Sequence, residues 1–344
     1  MNDKQMKISL PAGMVGRPAS QEDFPKMTQV ANLDAQLTAG RNDTQESEFK
    51  VDWESPEFDA QTDSHVLLDE NGKMLGYALV YTDQEPPNRP YVWMRLLPNY
   101  HDHAAGDFIL GWAIGRSRQT LELVPDEIRV TMSTHTVSGF EPLLNLFDRH
   151  GLSYARRSFQ MRIQLDAKVQ NPILPEGLEI VDFDVESDFE AFFRATNEGF
   201  QDHFGHVDED FETAYPRWKH YVENDEGYDP GLFFFVKKGE DIVASARCRK
   251  MSWEDENMGW ISELSVLRPW RRKGIGKALL QHCFQVFEER GKSAVGLGVD
   301  AESLTGATKL YEQAGMEVFR SYDRYEKILR DGIEIIKTDL EEQA

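Results

Sequence analysis

A chain of 344 residues with 40% hydrophobic content exceeds one ordinary core and suits two domains of about 150 residues each. Its 38 basic residues stand against 60 acidic ones, a net charge of −22; that surface repels nucleic-acid phosphates and anionic lipid, serves solubility, and weakly favours a cationic or amine-bearing partner. Two cysteines, the polar residues 1–10 and the lack of any run of 18 apolar residues predict a reducing, cytoplasmic setting with no membrane span.

In chain order, residues 73–81 read as a strand, and residues 142–151 as a helix ending at a glycine. Residues 166–177, punctuated by Pro172, Pro175 and Gly177, form a candidate linker. Residues 178–183 then alternate as a strand, and 187–200 carry phenylalanines at helical spacing. Residues 231–238 and 241–249 read as a hairpin around Gly239, and 260–267 as a further strand. In 274–290, Ile275, Leu279, Cys283 and Phe287 recur every four residues before Gly291, the pattern of a capped helix. A short buried strand at 294–299 and a helix at 303–314 follow. This order predicts a mixed α/β layer fold with a central, mostly antiparallel sheet flanked by helices.

The halves echo one another. Residues 73–81 parallel 241–249, and 142–151 parallel 306–315 with Phe147 falling on Tyr311. Two tandem copies of one domain account for this. The expected boundaries are 1–165 for a degenerate first copy, 166–177 for the linker, 178–330 for the catalytic copy and 331–344 for a tail.

The most informative stretch joins the strand at 260–267 to the helix at 274–290. It holds Arg268, Arg271, Arg272, Lys273 and Lys277 around Gly274 and Gly276. Glycines at a helix start let the backbone approach an anion, and the unpaired amides and positive dipole end point at it. A pyrophosphate is the natural guest. The dinucleotide fingerprint would need a third glycine where Leu279 stands, and the nucleotide-triphosphate loop is absent.

The run from Ile261 through Gly276, followed by 306–316, resembles the Gcn5-related N-acetyltransferase (GNAT) superfamily over roughly residues 178–328. The tandem layout, with a degraded first copy, is similar to that of the mycothiol synthases. The resemblance implies a GNAT fold and acetyl-CoA as co-substrate, with no metal. It implies that the backbone of Leu264, Ser265 and Val266 binds the pantetheine arm. The amides of Arg271, Arg272, Lys273, Gly274, Ile275, Gly276 and Lys277 would cradle the pyrophosphate, and Ser303 and Ala307 would line the far side. Many members carry asparagine near position 303, where this chain has Ser303.

Acetyl transfer to an amine needs a proton removed from nitrogen and one given to the leaving sulfur. Tyr311 is the candidate acid; as an amphipathic residue at helical spacing it also suits plain packing. Glu263 is the candidate base, with alternation placing it on the face of Ile261 and Ser265; it could equally be a strand glutamate bound to a nearby arginine. In the first copy, residues 99–107 lack the basic glycine loop, and Phe147 replaces the tyrosine. That copy reads as a non-catalytic scaffold or pocket wall.

Residues 201–230 combine aromatics, among them Phe204, Tyr215 and Trp218, with many carboxylates. This suits an organic cation, or an amphipathic helix packed on the sheet. His203 and His206 are too close for the usual metal-binding pair. The expected activity is N-acetylation of a small-molecule primary amine by direct attack. The rivals are a peptide N-terminal acetyltransferase and a non-catalytic acyl-CoA-binding module.

Overall fold

The computed structural model describes residues 9–165, 170–303 and 306–336. Residues 9–156 with Tyr322–Ile335 form one compact unit, and Arg157–Ser321 the other. The elements in chain order are β1 (Met14–Arg17), α1 (Phe24–Ala39), α2 (Glu46–Glu54), α3 (Ala60–Asp63), β2 (Ser64–Asp69), β3 (Met74–Tyr81), β4 (Tyr91–Leu96), α4 (Ala104–Arg118), β5 (Val130–Val137), α5 (Glu141–Arg149) and β6 (Ser153–Gln164). They continue with β7 (Glu179–Asp182), α6 (Phe189–Phe200), α7 (Phe211–Asn224), β8 (Phe233–Lys238), β9 (Asp241–Arg249), β10 (Met258–Val266), α8 (Ile275–Glu289), β11 (Ala294–Asp300), α9 (Ala307–Gln313) and β12 (Glu317–Arg330). No helix among the described residues is long and apolar enough to cross a membrane.

The first unit orders its strands β1-β2-β3-β4-β5-β12, the second β6-β11-β10-β9-β8-β7. The ladders that build each unit are antiparallel apart from β4 with β5 and β10 with β11. The mixed, mostly antiparallel sheet with flanking helices is therefore the observed class.

The unit boundaries fall inside strands, not at residues 165 and 178. Tyr322–Arg330 of β12 pairs with β5 and completes the first unit. Ser158–Gln164 of β6 pairs with β11 and completes the second. A local pattern marks a strand without naming its partner, so this exchange has no sequence signature. Part of the expected tail also belongs to the first unit, where the Arg129 amide donates to the Ile333 carbonyl at 2.9 Å. Residues 166–169 of the expected linker and 337–344 of the tail lie outside the described residues.

In the second unit both faces of the sheet are covered. Phe233, Phe234, Phe235 and Val236 of β8 are all buried, as a strand sandwiched on both sides requires. Phe234 and Val236 join the core under α8, with Ile275, Leu279, Cys283 and Phe287 from the helix. Phe233 and Phe235 join Phe189 and Phe192 of α6 and Val222 of α7 on the opposite face. Replacing Phe287 by alanine would cost about 3–5 kcal/mol in such a core. Gly274 precedes α8 at φ +84°, a left-handed conformation that glycine adopts without penalty. The last helix is shorter than the expected 303–314, beginning after a left-handed Gly306; residues 304–305 lie outside the described residues.

Candidate active site

The site begins where two parallel strands part. β10 and β11 are in register from Met258 opposite Ala294 to Ile261 opposite Leu297. Beyond that, β10 continues to Val266 paired only on its β9 side, and its register against β9 shifts between Ile261 and Glu263. Such a bulge re-aims the side chains that follow. Ile261, Leu264 and Val266 pack toward the α8 core. Glu263 turns toward α7 and Ser265 toward α6: Ser265 Oγ bonds Ser245 Oγ at 2.8 Å, and a Cβ on Gly199 would lie 2.6 Å from Ser265 Cβ. Glu263 therefore shares a face with Ser265 but not with Ile261. The alternation expected across all three fails at the bulge.

A cavity of about 120 Å³ lies between the parted strands. Ile261, Ser262 and Leu264 line one side, Leu297 to Asp300 another, and Phe200, Asp202, His203 and Phe204 a third, with Ser303, Ala307 and Tyr311 closing it. It adjoins a groove of about 800 Å³ that runs along Leu264–Val266 to Trp270, Arg271, Arg272, Gly274, Gly276 and Lys277, with α9 residues opposite. His203, Leu264, Ser303, Ala307 and Tyr311 line both.

The basic loop ends this groove. A 3-10 turn at Arg268–Trp270 leads to Arg272 at φ +61° and Gly274 at φ +84°. Alternating left-handed residues turn successive amides to one side, a conformation suited to an anion. Ala278 supplies the first helical amide bond, to the Gly274 carbonyl at 3.0 Å. The amides of Ile275, Gly276 and Lys277 precede it and have no intrahelical partner.

The loop's cations divide into two sets. Asp202, just past α6, accepts from Arg268 Nε at 3.0 Å and from Arg271 Nη1 at 2.5 Å. Those guanidiniums, Arg268 first, hold its carboxyl down at about 2 against the cost of burial. Arg271 also donates to the carbonyls of Val266 and Gly199, each at 3.0 Å. Its side chain thus braces the loop. Lys273 Nζ sits 4.6 Å over the Trp270 ring. The Ile275 side chain is in the core, leaving only its amide for a ligand. Arg272 and Lys277 line the groove.

Tyr311 is 8% exposed, and burial pushes its hydroxyl up to about 12, so it stays protonated at neutral pH. Glu263 Oε1 accepts from Arg247 Nη2 at 2.9 Å and from Trp218 Nε1 at 3.3 Å. It is bound to a neighbouring arginine, and it is not among the residues that line the groove and cavity around Tyr311.

The aromatic set also separates. Phe204 lines the cavity beside Tyr311. Trp218 lines a different hollow of about 330 Å³ with Phe193, Asn197, Arg217 and Tyr221. Tyr215 stacks on Phe211 at 5.0 Å, in the packing role of an amphipathic helix. Sequence reasoning missed His203, considered there only as a metal ligand, and Asp202, whose partners are more than 60 residues away.

The first unit's counterpart differs. Its parallel strands meet only at Tyr91 opposite Ser133. The first turn of α4 is capped internally, the Ala105 amide donating to His103 Nδ1 at 3.2 Å. Phe147 is fully buried and packs 5.2 Å from the Tyr325 ring.

Residues 190–316 match the profile of the acetyltransferase (GNAT) family. A mycothiol acetyltransferase of Saccharopolyspora erythraea is 25% identical over 252 residues, covering 72% of this chain and 80% of that protein. One of Streptomyces scabiei is 25% identical over 258 residues, covering 75% and 77%. Among solved structures, a GCN5-related N-acetyltransferase from Sphaerobacter thermophilus superposes with a TM-score of 0.77 at 28% identity, over 95% of this chain and 99% of that one. A tandem GNAT protein from the clavulanic acid biosynthesis pathway shares the fold, with a TM-score of 0.68 at 11% identity over 93% and 100% of the two chains.

Proposed function

We propose that this chain, whose residues 190–316 match the acetyltransferase (GNAT) family, moves an acetyl group from acetyl-CoA to the primary amine of a small molecule. One observation carries the reading: a continuous groove leads from Gly274 and Gly276 at the start of α8 to Tyr311.

The residues present fit such a carrier. The amides from Arg272 to Lys277 would hold a diphosphate, with Arg272 and Lys277 adding charge. The β10 backbone at Leu264 to Val266, open on the edge that β11 leaves, would pair with an amide-bearing arm as an added strand does. Gly276 keeps the groove clear, since a Cβ there would lie 3.3 Å from Leu310 Cδ2. When bound, acetyl-CoA supplies the activated thioester. Tyr311, lining both spaces, gives its proton to the departing sulfur. Positioning amine and carbonyl together supplies much of the remaining rate.

The relatives bear the name mycothiol acetyltransferase, which supports a small-molecule acceptor over a peptide. The first unit, with Phe147 at the tyrosine position and a self-capped α4, acts as a scaffold. The test is free-thiol release from acetyl-CoA by the full chain against a panel of small amines and peptide N-termini. Release with small amines is expected. Release only with peptides, or binding without any release, would overturn the reading.

A further inference from the structure

On the reading that this site transfers acetyl to an amine, we infer that His203 is the residue that takes the amine proton. The small cavity and the long groove meet at a junction whose walls carry two titratable side chains, His203 and Tyr311. They reach it from different elements, Tyr311 from α9 and His203 from the segment after α6. A nitrogen attacking a carbonyl held at this junction would have both a proton donor and a nitrogen base among the surrounding walls.

His203 is held in place independently of any ligand. Its amide donates to the Phe200 carbonyl at 2.8 Å, and its ring packs 4.2 Å from the Phe200 ring. Asp202 beside it is fixed by Arg268 and Arg271, and Arg271 also bonds the Gly199 carbonyl. The loop that grips the carrier thus also sets the imidazole. Among the described residues no side chain hydrogen-bonds its ring nitrogens. Glu263, by contrast, lines neither space; its Oε1 accepts from Arg247 and Trp218, and its Oε2 is buried without a partner among the described residues.

Burial, then the Arg271 charge, hold the imidazole down at about 4, against the opposing pull of Asp202 and Asp300. It is therefore neutral, with a lone pair available, at ordinary pH. A base this weak does not strip a free ammonium ion, so the amine must arrive neutral. Its proton becomes acidic only as nitrogen bonds to carbon. In the balanced step, the C–N bond forms and the C–S bond breaks. The nitrogen's proton goes to His203 and the Tyr311 proton goes to sulfur. Water then takes the proton from His203 and restores that of Tyr311. The products are an amide and a free thiol.

The test uses the full chain, acetyl-CoA, and whichever of tyramine, glucosamine, spermidine and cysteamine the wild type acetylates fastest. His203→Gln, which keeps a polar side chain without a usable base, should lower kcat by about 10²-fold or more while KM for acetyl-CoA stays within a few-fold. His203→Ala should regain activity in proportion to added imidazole, a response that a packing role would not give. Wild-type kcat in His203→Gln, or a loss in His203→Ala that imidazole does not restore, overturns the inference. So does a loss in Glu263→Gln equal to that in His203→Gln. If the wild type bound acetyl-CoA but acetylated none of the amines, the parent reading would fail for them and this inference would fall with it, whereas acetylation left intact in His203→Gln would overturn the inference alone.

Discussion

Arg271 Nη1 donates to Asp202 Oδ2 at 2.5 Å, while its other nitrogens hold the carbonyls of Val266 and Gly199. One guanidinium thereby ties the strand end, the helix end and the basic loop together. A lysine keeps the charge but not the fork that satisfies three acceptors. Arg271→Lys should therefore lower Tm and weaken acetyl-CoA binding about tenfold, the scale of one lost charged hydrogen bond. Calorimetric titration beside thermal melts checks this. Binding unchanged with the charge retained would assign Arg271 to plain electrostatics.

The Asp202 carboxyl titrates at about 2 in the folded chain, held there chiefly by its bond to Arg268, and near 3.8 when unfolded. A depressed acid stabilises the folded state above its unfolded value and loses that contribution as pH falls through the folded one. The stability gap between wild type and Asp202→Asn should be constant above about pH 5 and shrink between about pH 4 and 2. Urea midpoints across that range measure it. A gap independent of pH would contradict the pairing.

Tyr311→Phe removes a hydroxyl and little else. Its loss should lower kcat by about 10²-fold, the lower range for a general acid, with the Kd for acetyl-CoA nearly unchanged. Single-turnover thiol release and equilibrium binding separate the two. A loss confined to Kd would make the hydroxyl a binding group.

Two glycines of the loop should respond differently. A Cβ on Gly274 meets nothing within 4 Å, but its φ is +84°, so Gly274→Ala should cost about 1–2 kcal/mol of backbone strain. The Gly276 backbone is unstrained, but its Cβ would point at Leu310 and Val266 across the groove. Gly276→Val should leave Tm close to wild type and raise KM for acetyl-CoA strongly. Melts and kinetics on the pair would show whether the groove is used.

Much of this was legible in the chain itself. The four-residue spacing from Ile275 to Phe287 placed α8 within a residue at each end, and the strand of 241–249 was read in full. These signals are local, and burial enforces them. What escaped depends on partners distant in sequence. The bulge after Ile261 arises from the ladder with β9, so alternation put Glu263 on the wrong side of Ile261. The brace between Arg271 and Asp202 was hidden as well, because the two lie 69 residues apart. The exchange of β6 and β12 between units was hidden for the same reason: their partners, β11 for one and β5 for the other, lie far along the chain.

The central claim is that amides at the α8 start hold the diphosphate of acetyl-CoA while Tyr311 meets its sulfur. A crystal structure of the full chain with acetyl-CoA tests it most directly. The account predicts phosphate oxygens within hydrogen-bond distance of the amides from Arg272 to Lys277, and the thioester beside Tyr311 and His203. Acetyl-CoA bound in the first unit instead, or in the second with its diphosphate away from Gly274, would contradict it.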